Sequence, residues 1–334
     1  RVGVGRSVIS DLVSLEHRGR YTGSPAVEAD LEARVILVAD GEGGEIALIV
    51  LDLLELFVPW VERFRRSVQH QAGIPVDRQV VLCNHIHSSS SSDGVAEVPL
   101  AWRVTCAVKE ARAGLTPAKV GHAARALGPG WTIRRRFAID NLETMCVMFN
   151  DDCHAEGDRL EVSGQVVKYL RDRGVDPSAW NGHGGKVYCQ APADTRLELI
   201  GFTGADGRPL ATLARFPVHP VMASHVQIGN RLYPDFMWAV RQGAAGHPAG
   251  TNLLFVQGPM ADVKPLPTGY GVAAAEGYGR AMAGEVMKLY GDLRFEPLTT
   301  AVLAQGATPL ALRPEYALTS AQRLAMIADC RRQL

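Results

Sequence analysis

Two histidines two residues apart, His85 and His87, follow the apolar run Val80-Val81-Leu82-Cys83 and Asn84. Neutral imidazole is the commonest side-chain ligand of protein-bound metals. Side chains of a strand alternate, so residues two apart share a face. If Gln79–Cys83 is a buried strand, both rings leave its carboxyl end on one side, where open α/β sheets hold their ligands. A third imidazole, His219, ends a second apolar run through Ala214-Arg215-Phe216-Pro217-Val218-His219-Pro220. The pattern suits a metal or oxyanion site, and its competing reading is a set of polar caps on strand-end backbone groups.

The elements that must position these groups read as follows. The opening Arg1-Val2-Gly3-Val4-Gly5-Arg6 alternates and suggests an edge strand, and residues 33–39 and 45–51 are β-rich runs joined by Asp40-Gly41-Glu42-Gly43-Gly44, a hairpin turn. Residues 56–72 form an amphipathic helix in which Pro59 is tolerable only in the first turn. Strand, helix, then strand 79–83 predicts a parallel crossover unit. Asp52 sits at the carboxyl end of its strand, where it either orients a liganding imidazole by hydrogen bonding or caps the next helix.

Residues 99–115 form a further helix, and 131–137 are strand-like around Arg134, Arg135 and Arg136. Three adjacent arginines make a solvated face, or turn one guanidinium inward to hold an oxyanion or carboxylate as a bidentate fork. From 150 to 190 the chain is polar and reads as a loop or lid; in Asp151-Asp152-Cys153-His154 neighbouring side chains cannot easily all face one ion. Residues 197–202 and 210–216 flank the hairpin signal Ala205-Asp206-Gly207-Arg208. Asp235 can cap a helix starting near Phe236. The strand 252–256 runs into Gln257-Gly258-Pro259-Met260-Ala261-Asp262-Val263-Lys264-Pro265, ahead of a helix over 273–290, a frequent setting for active-site groups. Within it, Lys264 is either a functional cation or a surface one beside a turn.

Lys+Arg and Asp+Glu both number 35, so no net field recruits nucleic acid or an anionic membrane, and a small-molecule substrate or a protein partner fits better. Hydrophobic residues make up 47% of the chain, enough for a substantial core. Six cysteines without a Cys-x-x-Cys pair suggest reduced thiols and a cytoplasmic setting. The most apolar stretch, residues 46–58, is too short for a bilayer span and carries Asp52 and Glu55. No signal peptide is visible, and a first residue of Arg leaves processing open.

Five segments occur in the order seen in the neutral/alkaline, non-lysosomal ceramidases and their smaller bacterial relatives. They are the Gly3-containing start, Val50-Leu51-Asp52-Leu53, the His-x-His-Ser segment at His85, the Phe-x-x-His-Pro segment at His219, and the Gln-Gly-x-x-x-Asp-Val-x-Pro loop. The chain resembles that family over residues 1 to 290. The resemblance implies an α/β fold like the ceramidase N-terminal domain: a layered mixed sheet flanked by helices, as one domain over 1–334, with 291–334 an extension or the start of a second half. It further implies zinc-assisted cleavage of an amide, with His85 and His219 as zinc ligands. His87 and one of Arg134 to Arg136, Arg135 in the middle, would stabilise the oxyanion, and the loop carrying Asp262 and Lys264 would line the substrate site. Asp235 resembles an acid following a Tyr-Pro or Ser-Pro step in the bacterial relatives.

Three departures shape the expectation. Lys264 stands where the family has serine; Ser88-Ser89-Ser90 replaces Ser-Gly-Pro; and the glutamate and tyrosine ligands of the family's second half have no counterpart before Leu334. Two histidines are one short of the usual three protein ligands of catalytic zinc. A second polypeptide is therefore expected to supply the rest of the site, as in a split enzyme. The alternatives are a biosynthetic enzyme closing a ring, aziridine-type, by amine displacement of an anionic leaving group such as sulfate beside Lys264 and the arginines, and a non-catalytic subunit.

Overall fold

Alternation along the strands sorts the side chains of the chain into three apolar layers. A computed structural model describes residues 1–16, 21–40, 43–128, 130–134, 136–138, 144–146, 153–156, 159–162, 168, 171–172, 174, 187–188, 193–261, 263–266 and 269–298; for 133–134, 136–138, 144–146, 153–156, 159–162 and 187–188 the description is of the backbone. The first sheet has the order β1 (Val2–Val8), β2 (Glu32–Ala39), β3 (Glu45–Leu51), β4 (Gln79–Cys83). Its first three strands are antiparallel, and β3 and β4 are parallel, with Leu51 opposite Cys83. Helix α1 (Val58–Ala72) makes the crossover between them. As the sequence predicts, β1 is an edge strand and the 79–83 strand has the expected bounds.

The second sheet contains β5 (Ala118–Ala126), β7 (Arg196–Gly204), β8 (Pro209–Phe216) and β9 (Leu253–Gln257), in the order β9-β8-β7-β5 with Glu296–Pro297 beyond β5. A separate short ladder pairs β6 (Thr132–Arg134) with β10 (Val263–Pro265). Strands β8 and β9 are parallel, and α3 (Asp235–Gly243) lies on the path between them. The molecule thus holds two crossover units, β3–α1–β4 and β8–α3–β9.

On β2 and β3, Ala33, Val35, Leu37, Ile49 and Leu51 face α1 and α2 (Glu97–Ala113), while Ile36, Leu48 and Val50 face the other sheet. On β8 and β9, Ala214, Phe216, Leu253 and Phe255 face α3 and α4 (Val272–Tyr290), whereas Ala211, Leu254 and Val256 turn toward the first sheet. Period-two patterning on both faces gives four layers: helices, sheet, sheet, helices. Two glycine contacts close the outer layers. A Cβ at Gly5 would overlap the Ala107 carbonyl of α2, and one at Gly279 of α4 would overlap the Phe236 carbonyl of α3.

Cys153–Glu156, Arg159–Val162 and Val187–Tyr188 form a small antiparallel sheet within the region read as a loop or lid; the remainder of 150–190 is almost wholly outside the described residues, as is everything after residue 298. Among the described residues no helix is long and apolar enough to cross a membrane. Cys83 and Cys106 are free thiols, and burial, helped by Glu55, pushes the Cys83 thiol up to about 12.

Candidate metal centre

Both crossover units end at one place. Strand β4 stops at Cys83, and the chain turns through Asn84 and His85, whose φ of 56° is left-handed. His85 and His87 are thus turn residues, and strand alternation does not bring their rings together: the left-handed kink does. Their ring centroids lie 4.9 Å apart. His219, three residues beyond the end of β8, joins them with centroids 4.8 Å from His85 and 5.0 Å from His87. One ring nitrogen from each of the three lies within 4.8 Å of the others, a cluster able to hold a metal ion.

The tautomers follow from the neighbours. His85 Nδ1 is 3.1 Å from the Leu54 carbonyl and His219 Nδ1 is 3.2 Å from the Met260 carbonyl. A carbonyl only accepts, so each Nδ1 carries the proton and, in the neutral ring, Nε2 keeps a lone pair. His87 Nε2 and His219 Nε2 are 3.0 Å apart, near the about 3.4 Å that two imidazoles span on tetrahedral zinc with Zn–N of about 2.05 Å. Imidazoles fixed through Nδ1 by backbone oxygens are how proteins orient histidine ligands, so the donor set fits a zinc-type ion.

Buried serines brace the turn. Ser88, Ser89 and Ser90 are all fully buried. Ser88 Oγ donates to the Tyr233 carbonyl and Ser89 Oγ to the Asp52 carbonyl, while Leu54 N donates to Ser90 O and Ser92 N to Glu55 O. The segment 84–92 is thus laced to 51–55, which carries the carbonyl that orients His85. His225, which the sequence did not single out, donates from its backbone N and ring Nδ1 to the His87 carbonyl at 3.2 and 2.9 Å.

Asp52 takes neither of the two roles read from sequence, while Asp235 stands at the start of its helix and accepts from the Phe236 N–H there. Asp52 neither meets an imidazole nor caps α1, whose N-cap is Phe57. It accepts from Asn84 Nδ2 at 2.8 Å, from the Glu32 backbone N at 3.2 Å and from Arg241 Nη2 at 3.0 Å. Asp235 lies inside α3 with φ of 50°, with Pro234 as the N-cap residue. Its fully buried carboxylate accepts from Ala223 N at 2.7 Å and Phe236 N at 2.8 Å, tying the loop after His219 to α3. Burial pushes that carboxyl up to about 6 against the pull of backbone N–H groups of Ala223, Phe236 and Met222.

Lys264, read as a possible surface cation, is 1% exposed on β10 opposite Ile133 of β6. Asp262 and Arg135 lie outside the described residues, and the Arg134 and Arg136 side chains are likewise not described. The loop after β9 does reach the centre, through the Met260 carbonyl on His219. Beyond that loop an apolar pocket of about 470 Å³ is lined by Trp131, Met222, Leu266, Ala274, Gly277 and Tyr278 among others; Met222 belongs to the loop that carries His219.

No family model matches the chain, and no curated protein does. Solved structures do. A ceramidase complexed with C2 superposes with a TM-score of 0.58 at 14% identity, covering 87% of this chain and 44% of that one. The neutral ceramidase from Pseudomonas aeruginosa superposes with a TM-score of 0.57 at 14% identity and the same coverage. The chain has a ceramidase-like fold. It spans less than half the length of the ceramidases it matches.

Proposed function

We propose that this ceramidase-like chain is a metal-dependent amide hydrolase, with His85, His87 and His219 as the ligands of a zinc-type ion. The observation that carries the reading is the convergence of the three imidazoles, two of them with Nδ1 spent on a backbone carbonyl. A zinc ion held there supplies Lewis acidity, polarising a carbonyl oxygen and lowering the pKa of water to about 7. Three imidazoles match the donor count of a catalytic site that keeps a position for substrate, so His87 serves here as a ligand.

The chain's own groups do the rest. Leu54 O and Met260 O hold two rings in the tautomer that offers Nε2, and the buried serines keep the His85 turn from relaxing. The role of oxyanion donor passes to a cation, from Lys264 or the arginine run at Arg135, since a charge-assisted donor in a low-dielectric site stabilises developing negative charge most strongly. The apolar pocket beside Met222 takes an apolar substituent of the amide.

Native mass spectrometry of the purified chain, joined to elemental analysis, tests the reading, because one spectrum reports bound metal and any accompanying polypeptide together. One zinc per chain, with release of free amine from N-acyl amides by that preparation, is the expected result. A protein that binds no divalent metal under zinc-replete conditions would overturn it, and sulfate release from a sulfated amine without metal would replace it with the ring-closing reaction.

A further inference from the structure

The centre is assembled from two crossover units that are far apart in sequence, and a buried polar chain joins them. Asp52, at the end of β3, is 2% exposed and Arg241, on α3, is 8% exposed. The guanidinium straddles the carboxylate, with Nη2 at 3.0 Å from Oδ2 and Nη1 at 3.4 Å from Oδ1. The same Oδ1 accepts from Asn84 Nδ2 at 2.8 Å. Asn84 is itself buried, its backbone N donates to the Leu51 carbonyl at 2.9 Å, and its Oδ1 has no partner. The bond to Asp52 therefore decides how the amide is turned. The next residue is His85, held in the left-handed region that a non-glycine residue occupies only when its surroundings impose it.

A second link runs beside the first. Arg34 of β2 is bonded to Glu32 through Nε at 2.7 Å and reaches the Leu253 carbonyl of β9 at 3.4 Å. Two cations and two anions thus sit where the first sheet meets β9 and α3. A buried ion pair is weak evidence of stability, since apolar groups of similar volume often serve as well; its best-attested use is to fix one register among several. What these elements register is the distance between His85 and His87 on one side and His219 on the other.

We propose that Arg241 is a positioning residue for the imidazole cluster: through Asp52 and Asn84 it holds the His85 turn, and so couples the unit that supplies His85 and His87 to the unit that supplies His219. The zinc affinity expected of this arrangement rests on the function proposed above; the ring geometry does not. The links lie in series, so a break at any one of them releases the turn. Removing both charges together leaves no uncompensated ion in the interior, which separates positioning from folding.

The test compares wild type with Asn84→Ala and with the double variant Asp52→Leu/Arg241→Met, in the full chain. Imidazole ¹⁵N spectra of the metal-free protein read the tautomers. In wild type His85 is expected as the Nδ1–H form; in both variants it is expected to leave that single form, while the distant His70 and His247 stay unchanged. Zinc competition is expected to show a 10- to 100-fold loss of affinity, on the order found for groups that orient metal ligands, with shifted visible bands of the cobalt-substituted protein. A double variant that folds and keeps the wild-type His85 tautomer would overturn the proposal. A wild type with the expected tautomer and no affinity for zinc would overturn the hydrolase reading alone. Should the double variant fail to fold, Asn84→Ala tests the last link, and Arg241→Lys, which keeps the charge but gives up the two-point grip on Asp52, tests the first, by the same spectra; a wild-type His85 tautomer in both would overturn the proposal.

Discussion

The two crossover units solve one problem with different materials. In β3–α1–β4 the histidines follow the second strand, on a short turn fastened by hydrogen bonds from serines and asparagine to the segment that leaves β3. In β8–α3–β9 the histidine follows the first strand and sits in the connection of residues 217–234 to α3. Each unit brings its imidazoles to the carboxyl end of a parallel pair, the usual ligand position of such folds. The first spends many polar contacts on a strained turn, while the second hangs a longer loop on one buried carboxylate, Asp235, and an apolar wall. A polar brace fixes ring orientation; an apolar one leaves a cavity in which a substrate group can lie.

Removing a ring from either side sharpens the comparison most. If the cluster holds zinc as proposed, His219→Ala should lower zinc affinity and hydrolysis by about three orders of magnitude, since loss of one of three donors leaves less than the ligand count of a catalytic zinc site. His85→Ala should do the same without relieving the positive φ, since alanine keeps a Cβ and the Leu54 carbonyl loses its ring partner; only a glycine placed there, His85→Gly, would relieve the backbone. Zinc retained in His219→Ala, measured by elemental analysis after dialysis, would show that the second unit contributes no ligand.

The next effect belongs to the second unit. Asp235 has a folded-state value of about 6 against 3.8 in an unfolded chain. Below 3.8 both states hold the proton and the group is neutral to folding; as pH rises toward 6 the unfolded chain ionises first and stability falls; above 6 a constant penalty on the order of 3 kcal/mol remains. Asp235→Asn removes that slope: its amide turns a donor toward one of the two backbone N–H groups, so it is about 1 kcal/mol less stable than wild type below pH 3.8 and, free of the ionisation penalty, about 2 kcal/mol more stable above pH 6. Denaturant midpoints at pH 4 and pH 7 check this: wild type should lose more between them than the variant, and parallel profiles would mean that Asp235 is ionised throughout.

How much of this was legible can be judged residue by residue. Local signals survived: Gln79–Cys83 was readable from β-branched apolar residues, and the helix over 56–72 begins at Val58, since Pro59 must stand where no intrahelical N–H is needed. The helix read as 99–115 begins at Glu97 for the same reason, Pro99 being tolerated within the first turn. Devices that depend on tertiary context were hidden. His85 carries a left-handed φ with no glycine to announce it. Ser88 to Ser92 are five polar residues with nothing in their types to mark an interior, yet they are buried, because their hydroxyls and backbone satisfy residues 52–55 and Tyr233. Arg241 lies 189 residues from Asp52, and no spacing rule links them.

Glycine contacts allow the two outer layers to be loosened separately. Gly5→Ala drives a methyl group into the Ala107 carbonyl, and Gly279→Ala drives one into the Phe236 carbonyl and Ala239. Each should cost about 1–3 kcal/mol by overpacking. They differ in what moves with the backbone: α2 carries no group of the centre, whereas α3 carries Asp235 and Arg241. At matched loss of stability, Gly279→Ala should therefore weaken zinc binding and Gly5→Ala should not. Equal affinities in the two variants would mean that the centre is insulated from the helix layers.

The smallest change tests the apolar wall itself. Gly277 lies on α4 facing the pocket, and a Cβ there meets nothing within 4 Å. Leucine is a better helix former than glycine by about 0.8 kcal/mol, so Gly277→Leu should leave the fold as stable or slightly more so while filling part of the about 470 Å³ cavity. Zinc affinity should not change, because the polar brace of the first unit and the carbonyls on His85 and His219 are untouched. If the pocket receives an apolar substituent, KM for amides with long acyl groups should rise about tenfold, equivalent to about 1.4 kcal/mol, and KM for acetyl amides should stay constant. A uniform fall in kcat across acyl lengths would instead mean that leucine disturbs the His219 loop through Met222, and that the two units do not divide into one that braces the rings and one that receives a substrate group.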